Sequence, residues 1–401
     1  MAGGKIRIFY ILSFLGGLSF NIIAPLFIVY ALSVGLSIAQ AGLLLGVNRL
    51  SVLVFEIPTG IFADSRGRKR SILLAYLLTV ISALLYYANW NYYLLIIASI
   101  LNGLALAFIS GAFEALLVDA GELQNKENLR NKIFVRMGII STIGFISGGL
   151  LGSIAAHFNL SYIWLFHSAV IIVGLILGSL LLNESSFVEN SVSRKITWQS
   201  FVEKIKNIKT LLISKKKIVK LIAIAAIMSL ASALYIISWP LIFKDILRIP
   251  VEYFGVISGI AGVFSLVGSI SAGKMSEKKG TAKTLVLTLL AASLAYATFA
   301  ISRSVIISLA CFMLIDFFTG GFNPIFYSFF NKFIPSEKRA SLLSLFSFAE
   351  EGAGGLAEIS AGSLLLIVTV PLVALFAPLF VLLALAIFFK EEVIQKGRKT
   401  A

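Results

Sequence analysis

The chain has 401 residues, of which 59% are hydrophobic and only 13% are charged, whereas about 25% of the residues in an average soluble domain are charged. This composition excludes a soluble enzyme or binding domain and predicts a protein embedded in a lipid bilayer. The net charge of +15 does not indicate nucleic-acid binding, because most basic residues are predicted to lie in alternate loops between apolar segments.

We predict twelve membrane spans, six on each side of a long polar loop, because twelve apolar segments reach the roughly 20 residues that cross a bilayer. Apart from Lys244, Arg248, Arg303 and the intramembrane Arg49, every Lys and Arg falls on the side that holds both termini. This asymmetry predicts a multi-pass protein of the cytoplasmic membrane with both termini in the cytoplasm. The predicted spans are residues 7–32, 38–63, 71–89, 92–118, 133–156, 160–182, 219–242, 252–273, 284–302, 304–330, 340–367 and 371–389.

The polar loop divides the chain into two predicted bundles. Within it, Trp198, Phe201 and Ile205 recur at helical spacing between lysines, which predicts an amphipathic helix lying either on an anionic inner leaflet or under the bundle. The predicted domains are an N-terminal six-helix bundle (1–183), a basic linker (184–218), a C-terminal six-helix bundle (219–390) and a cytoplasmic tail (391–401).

A charged loop between the second and third spans carries a pattern that occurs twice. In the first copy Gly60, Asp64, Arg66 and Gly67 are followed by Arg68. The two copies are separated by about half the chain length. Such a repeat indicates two halves of similar build, as in membrane transporters with a central binding site. The corresponding residues of the second copy are Gly273, Glu277, Lys279 and Gly280.

The segment from Gly60 to Lys69 resembles the signature loop between the second and third helices of the major facilitator superfamily, and the segment from Gly273 to Gly280 resembles its weaker second copy. The resemblance implies an all-α membrane protein with twelve transmembrane helices in two pseudo-symmetric six-helix bundles. It also implies transport by alternating access, without enzymatic activity.

The resemblance further implies a cytoplasmic gate around this loop. In the family the residue matching Arg68 pairs with an acid at the foot of the fourth helix, here Asp119, and the residue matching Asp64 faces the start of the eleventh helix, near Arg339 to Leu342. The other charged residues expected near this gate are Glu56, Glu114 and Arg136. Glu56 and Glu114 are also candidates for proton coupling or substrate binding.

Charged side chains inside hydrocarbon are costly, so each is a functional candidate. At about 1.5 Å of rise per residue, Arg49, Asp316, Glu350 and Glu351 are all predicted near the bilayer midplane. Desolvation disfavours the charged form of a carboxylic acid, so Asp316 or Glu350 is a candidate for binding and releasing a proton. The alternative is a static ion pair between Arg49 and a carboxylate that only holds helices together.

Two segments depart from the family pattern. Residues 144–149 resemble the fifth-helix signature of the family's antiporters, but Phe145 replaces a proline, and Ser99 stands where the motif around Asn102 and Gly103 has an arginine. Proton coupling would therefore need another residue. Since the first, fourth, seventh and tenth helices line the cavity in this family, the resemblance implies substrate contacts for Asn21, Tyr235, Trp239, Asn323 and Tyr327.

Glycines spaced four residues apart, such as Gly144 and Gly148 on the fifth span and Gly255 and Gly259 on the eighth, predict close helix contacts with the opposite half. With two histidines and one cysteine, Cys311, in the whole chain, we predict neither a metal site nor a disulfide.

These observations predict a secondary transporter, with proton-coupled efflux of an amphipathic or cationic compound as the leading hypothesis. The alternatives are uptake or facilitated transport of a polar or anionic metabolite bound by Arg49, and a non-transporting membrane receptor. We expect a monomer in the lipid bilayer whose partner is a small-molecule substrate, with no cofactor beyond a proton gradient.

Overall fold

The computed structural model describes residues 2–120, 127–183, 216–334 and 339–399. Within these ranges the regular structure is helical and no β-strand occurs, which confirms the predicted all-α class. The linker helix predicted within residues 184–218 falls outside the described residues, except that 216–218 begin the next helix. The long helices are α1 (Ala2–Ile23), α2 (Ile38–Arg66), α3 (Arg68–Ala88), α4 (Tyr92–Ile109), α5 (Glu127–Phe158), α6 (Tyr162–Leu181), α7 (Lys216–Leu241), α8 (Phe254–Lys279), α9 (Thr281–Ile301), α10 (Val305–Asn331), α11 (Arg339–Leu364) and α12 (Phe376–Lys399).

The helices have the length and composition of membrane spans. Among the described residues, eleven helical segments are long and apolar enough to cross a bilayer. Helix α11 is not among them, although its 26 residues exceed the roughly 20 that a span requires. It differs from the others in carrying Glu350, Glu351 and Glu358. The prediction of a multi-pass membrane protein is therefore confirmed.

Three predicted spans are interrupted, the first at a proline and the fourth at a glycine. Helix α1 ends before Pro25, whose ring removes an N–H donor and obstructs the preceding helical turn, and a short helix, Phe27–Ser33, follows. Helix α4 ends before Gly111, which adopts φ +70°, and the chain resumes as the short helix Ala112–Ala120. A short helix, Val370–Ala374, likewise precedes α12, and α12 itself continues through residues that we had assigned to the tail.

The described chain forms two compact units. The first contains the described residues of Met1–Lys195 and of Ile249–Ile260, and the second contains those of Ile196–Arg248 and Ala261–Ala401. Residues 249–260 belong to the second half of the sequence, so the start of α8 packs with the first unit instead of with its own half.

In the first unit, glycines bring α1 and α5 into backbone contact. A methyl group added at Gly144 would collide with the carbonyl of Phe14, and one added at Gly148 would collide with the carbonyl of Leu18. These two glycines therefore face α1 of the same unit, and the expectation that they face the opposite half is wrong. Gly149 instead meets Gly255, at the start of α8. For Gly255 and Gly259 the expectation is confirmed, because both contact α5. Close approach of this kind adds van der Waals contact in a bilayer, where apolar burial between helices adds little.

In the second unit, glycines bring α8 and α10 into similarly close backbone contact. A methyl group at Gly268 would collide with the carbonyl of Phe317, and one at Gly320 would collide with Ser265. In the same unit α7 packs along α11, where the hydroxyl of Ser229 donates a hydrogen bond of 2.8 Å to the carbonyl of Glu350.

Candidate functional site

The charged loop at the end of α2 is a turn of a single residue. Gly67 adopts φ 104° and ψ 141° between the last residue of α2 and the first residue of α3. Only glycine reaches this region of conformational space cheaply, because it has no Cβ. The turn therefore places Arg68 in the first turn of α3. Gly280 makes the same turn between α8 and α9, with φ 86° and ψ 147°.

The start of α3 is tied to its neighbours by polar contacts. The guanidinium of Arg68 forms an ion pair with the carboxylate of Asp119. Lys69 Nζ donates to the carbonyl of Ser179 at 2.8 Å, close to the end of α6. Because the side chains of Arg68 and Asp119 are 29% and 40% exposed, solvent screens this pair, and exposed pairs of this kind stabilise by about 0.2–1 kcal/mol.

The other predicted gate residues lie at the surface of their units. Asp64, Arg66 and Glu277 are exposed. The proposed neighbours of Asp64 include residues 339–341, whose side chains lie outside the described part of the structure, whereas Leu342 is buried. Of the remaining gate candidates, Glu114 and Arg136 are exposed and Glu56 is half-buried.

The four charged residues predicted near the midplane are all half-buried: Arg49 on α2, Asp316 on α10, and Glu350 and Glu351 on α11. Beside Arg49, the amide of Asn48 donates to Asn102 Oδ1 at 2.9 Å and to the carbonyl of Ser99 at 3.2 Å. These bonds join α2 to α4 at the place where Gly103 lets the two backbones touch.

Asp316 lies at the edge of an aromatic cluster in the second unit. The hydroxyl of Tyr235 donates to Asp316 Oδ2 at 3.5 Å. The ring of Tyr235 lies edge-on to that of Tyr296, with centroids 5.3 Å apart, and 5.7 Å from that of Phe312. Trp239 closes the cluster, 5.0 Å from Phe312. A carboxylate beside several aromatic faces offers both Coulomb and cation–π attraction to a positively charged ligand.

The structure separates the remaining cavity candidates. Asn21 is fully buried: its amide donates to the carbonyl of Phe145 at 2.9 Å, and its Oδ1 accepts from the hydroxyl of Ser258 at 2.9 Å. In this conformation Asn21 therefore serves helix packing. Trp239 is 7% exposed, while Asn323 and Tyr327 on α10 are exposed.

The sequence reasoning missed one buried charged residue. Glu358 on α11 is 2% exposed, and among the described residues it is the one Asp, Glu, Lys or Arg side chain that is buried. It stands eight residues beyond Glu350, and its position inside an apolar span was the available signal.

The turn glycines, the ion pair and the intramembrane acids all point to one family of transporters. The model of the Major Facilitator Superfamily matches residues 9–358 and, in a second match, residues 221–401. The chain belongs to the major facilitator superfamily. Members of this family are transporters, so the protein is a membrane transporter and not an enzyme.

Relatives and solved structures agree with this assignment. The chain is 29% identical over 88% of its length, and 87% of the relative, to the uncharacterized MFS-type transporter YxaM of Bacillus subtilis (strain 168). It is 25% identical to the quinolone resistance protein NorA of Staphylococcus aureus (strain MRSA252), over 49% of this chain and 52% of NorA.

Among solved structures, a variant of the nucleoside transporter NupG superimposes with a TM-score of 0.83 at 14% identity, covering 96% of this chain and 99% of that one. The human organic anion transporter MFSD10 (TETRAN) gives a TM-score of 0.71 at 13% identity over 96% of this chain and 99% of that one. At these identities the structures show the shared fold alone.

Proposed function

We propose that this major facilitator protein exports amphipathic or cationic small molecules in exchange for protons, by alternating access across the cytoplasmic membrane. The observation that carries the proposal is the half-buried carboxylate of Asp316 beside Tyr235 and its aromatic neighbours. The site combines one acid with flat apolar surfaces, which suits an aromatic cation better than a sugar or an anion.

The carboxylate of Asp316 would also couple the movement of the substrate to that of protons. Burial in apolar surroundings favours the neutral form of a carboxylic acid, and a bound cation favours its charged form. A proton and a cationic substrate would therefore compete for Asp316, so binding of one would release the other. The similarity of about half of this chain to NorA, a quinolone resistance protein, supports the direction of export.

The second candidate is uptake or facilitated movement of a polar or anionic metabolite. It is favoured by Arg49, which is half-buried within the span α2. A guanidinium within a span suits a carboxylate or phosphate ligand.

Transport in proteoliposomes of the purified protein separates the two candidates. With the lumen acidified, we expect the aromatic cation ethidium to accumulate and the accumulation to disappear when nigericin collapses the pH gradient. Uridine and the anionic dye fluorescein serve as neutral and anionic probes. Movement of either of these without a pH gradient, together with no movement of ethidium, would overturn the proposal and favour the second candidate.

A further inference from the structure

Helix α11 buries a carboxylate that the proposed exchange through Asp316 does not use. Glu358 is 2% exposed, and it stands six residues before Leu364, the last residue of α11. At 1.5 Å of rise per residue, this puts it about 9 Å from the end of the helix that the charge asymmetry assigns to the outside. An acidic residue inside a span is costly to bury and is a candidate for function by default.

The level of Glu358 in its unit follows from a measured contact. The hydroxyl of Ser229 on α7 donates to the carbonyl of Glu350 at 2.8 Å. Because three spans, α8 to α10, lie between α7 and α11, both helices cross the membrane in the same direction. Moving eight residues along each helix from this contact brings Glu358 level with Ile237, between Tyr235 and Trp239. Glu358 therefore lies at the level of the aromatic cluster that adjoins Asp316.

The titratable groups at this level are few. On α7, against which α11 packs, the titratable residue at this depth is Tyr235, whereas the lysines of that helix all fall within its first five residues. On α11 itself, Glu350 and Glu351 lie two turns further in. Elsewhere in the unit, Tyr296 on α9 and Asp316 on α10 adjoin Tyr235. Beyond the end of α7, three charged residues are exposed: Lys244, Asp245 and Arg248.

We propose that Glu358 is a second proton-binding carboxylate of this transporter, placed on the outer side of Asp316 in the same unit. Resting on the proton exchange proposed above, Glu358 takes up a proton when the outer ends of the helices open to solvent, and holds it while it is buried as in this structure. No other bond changes, since a single proton moves between the carboxylate and water. Asp316 then exchanges its proton for the substrate.

Infrared difference spectroscopy of the full-length protein tests proton binding without any transport. We expect the C=O stretching band of a protonated carboxylic acid near neutral pH, and we expect Glu358→Gln to remove part of that band. Asp245→Asn, a matched change at an exposed acid, should leave the band intact. A Glu358→Gln spectrum identical to that of the unmodified protein at all pH values would overturn the proposal.

Transport then separates this inference from the proposed function. We expect Glu358→Gln to retain ethidium counterflow without a pH gradient but to lose accumulation driven by the gradient, and Glu358→Asp to restore part of it. Unchanged accumulation in Glu358→Gln would refute a role in coupling. If the unmodified protein moves no ethidium while Glu358→Gln still loses the infrared band, the proposed function fails and the proton site stands. The Asp variant and the unmodified protein keep the test valid if Glu358→Gln does not fold.

Discussion

The two halves of the chain share a backbone turn but not the ion pair that follows it. Gly67 and Gly280 both turn the chain with positive φ between consecutive helices. In the first half, Arg68 follows the turn and pairs with Asp119. At the corresponding positions of the second half stand Thr281 and Lys332, and Thr281 accepts a hydrogen bond of 3.1 Å from Ser276 instead. The repeat therefore preserves the turn and the charge signs of Asp64 and Arg66, which match Glu277 and Lys279, but not the ion pair.

The second half carries its acids elsewhere, inside the spans. Asp316 and Glu358 both belong to the second unit. Under the proposed function, the first half supplies the ion pair of the cytoplasmic loop and the second half supplies the groups that bind protons. The following variants test this division of roles.

The largest effect is expected from Asp316→Asn, because the amide cannot exchange a proton. We expect ethidium transport to lose its dependence on pH, while the protein still inserts and binds the cation weakly. Transport rates measured across a pH series in proteoliposomes check this, with Asp64→Asn as the variant that should slow transport yet keep the shape of the pH profile. An unchanged pH profile of transport in Asp316→Asn would show that proton coupling depends on another acid, such as Glu350, Glu351 or Glu358.

Alanine at the two turn glycines tests whether the halves share a backbone requirement. We expect Gly67→Ala and Gly280→Ala each to cost about 1–3 kcal/mol, since a side chain is strained at these dihedral angles. Gly67 should show the larger loss, because it is buried while Gly280 is exposed. Thermal unfolding of the purified variants measures the difference.

Gly60→Ala is the matched control for those two substitutions. No described atom lies within 4 Å of a methyl group added at Gly60, and alanine is favoured over glycine in a helix interior by roughly 0.5–1 kcal/mol. The unfolding temperature of Gly60→Ala should therefore stay the same or rise. A fall as large as that of Gly67→Ala would show that the turn geometry is not the cause.

Removing the loop acids compares the gating roles of the two copies. We expect Asp64→Asn to slow transport several-fold with normal insertion, and Glu277→Gln to slow it less, because the uncharged Thr281 replaces Arg68 in the second copy. Initial rates normalised to the amount of protein in the membrane give the comparison. Equal rates for Asp64→Asn and the unmodified protein would remove the gating role.

The smallest effect is expected from Arg68→Gln in a stability measurement. Because the ion pair with Asp119 is partly exposed, its loss should lower the free energy of unfolding by about 0.2–1 kcal/mol, and high salt should reduce the difference. A double-mutant cycle with Asp119→Asn isolates the coupling energy of the pair. A coupling energy of zero would show that the pair does not stabilise the fold, and Arg68 would then act only by keeping its loop on the cytoplasmic side.

The local features of the fold were readable from the sequence. Apolar length, loop charge and the repeated glycine pattern predicted the helices on both sides of Gly67 and Gly280, because each depends on a short stretch of chain and on the bilayer as solvent. The interruption at Pro25 was equally local, yet the unbroken hydropathy of the first span concealed it. The prediction that Asp316 and Arg49 lie at mid-depth came from counting residues along a helix.

Only the tertiary structure decided which neighbour each helix face meets. Gly144 and Gly148 contact α1 within the first unit, and the start of α8 packs with that unit. The side chain of Asn21 forms hydrogen bonds with Phe145 and Ser258. The physical reason is that lipid and protein interior are similarly apolar, so hydropathy does not distinguish a face packed on a helix from one that faces lipid. The rotation and crossing of helices make that choice, and they depend on contacts between residues far apart in the chain.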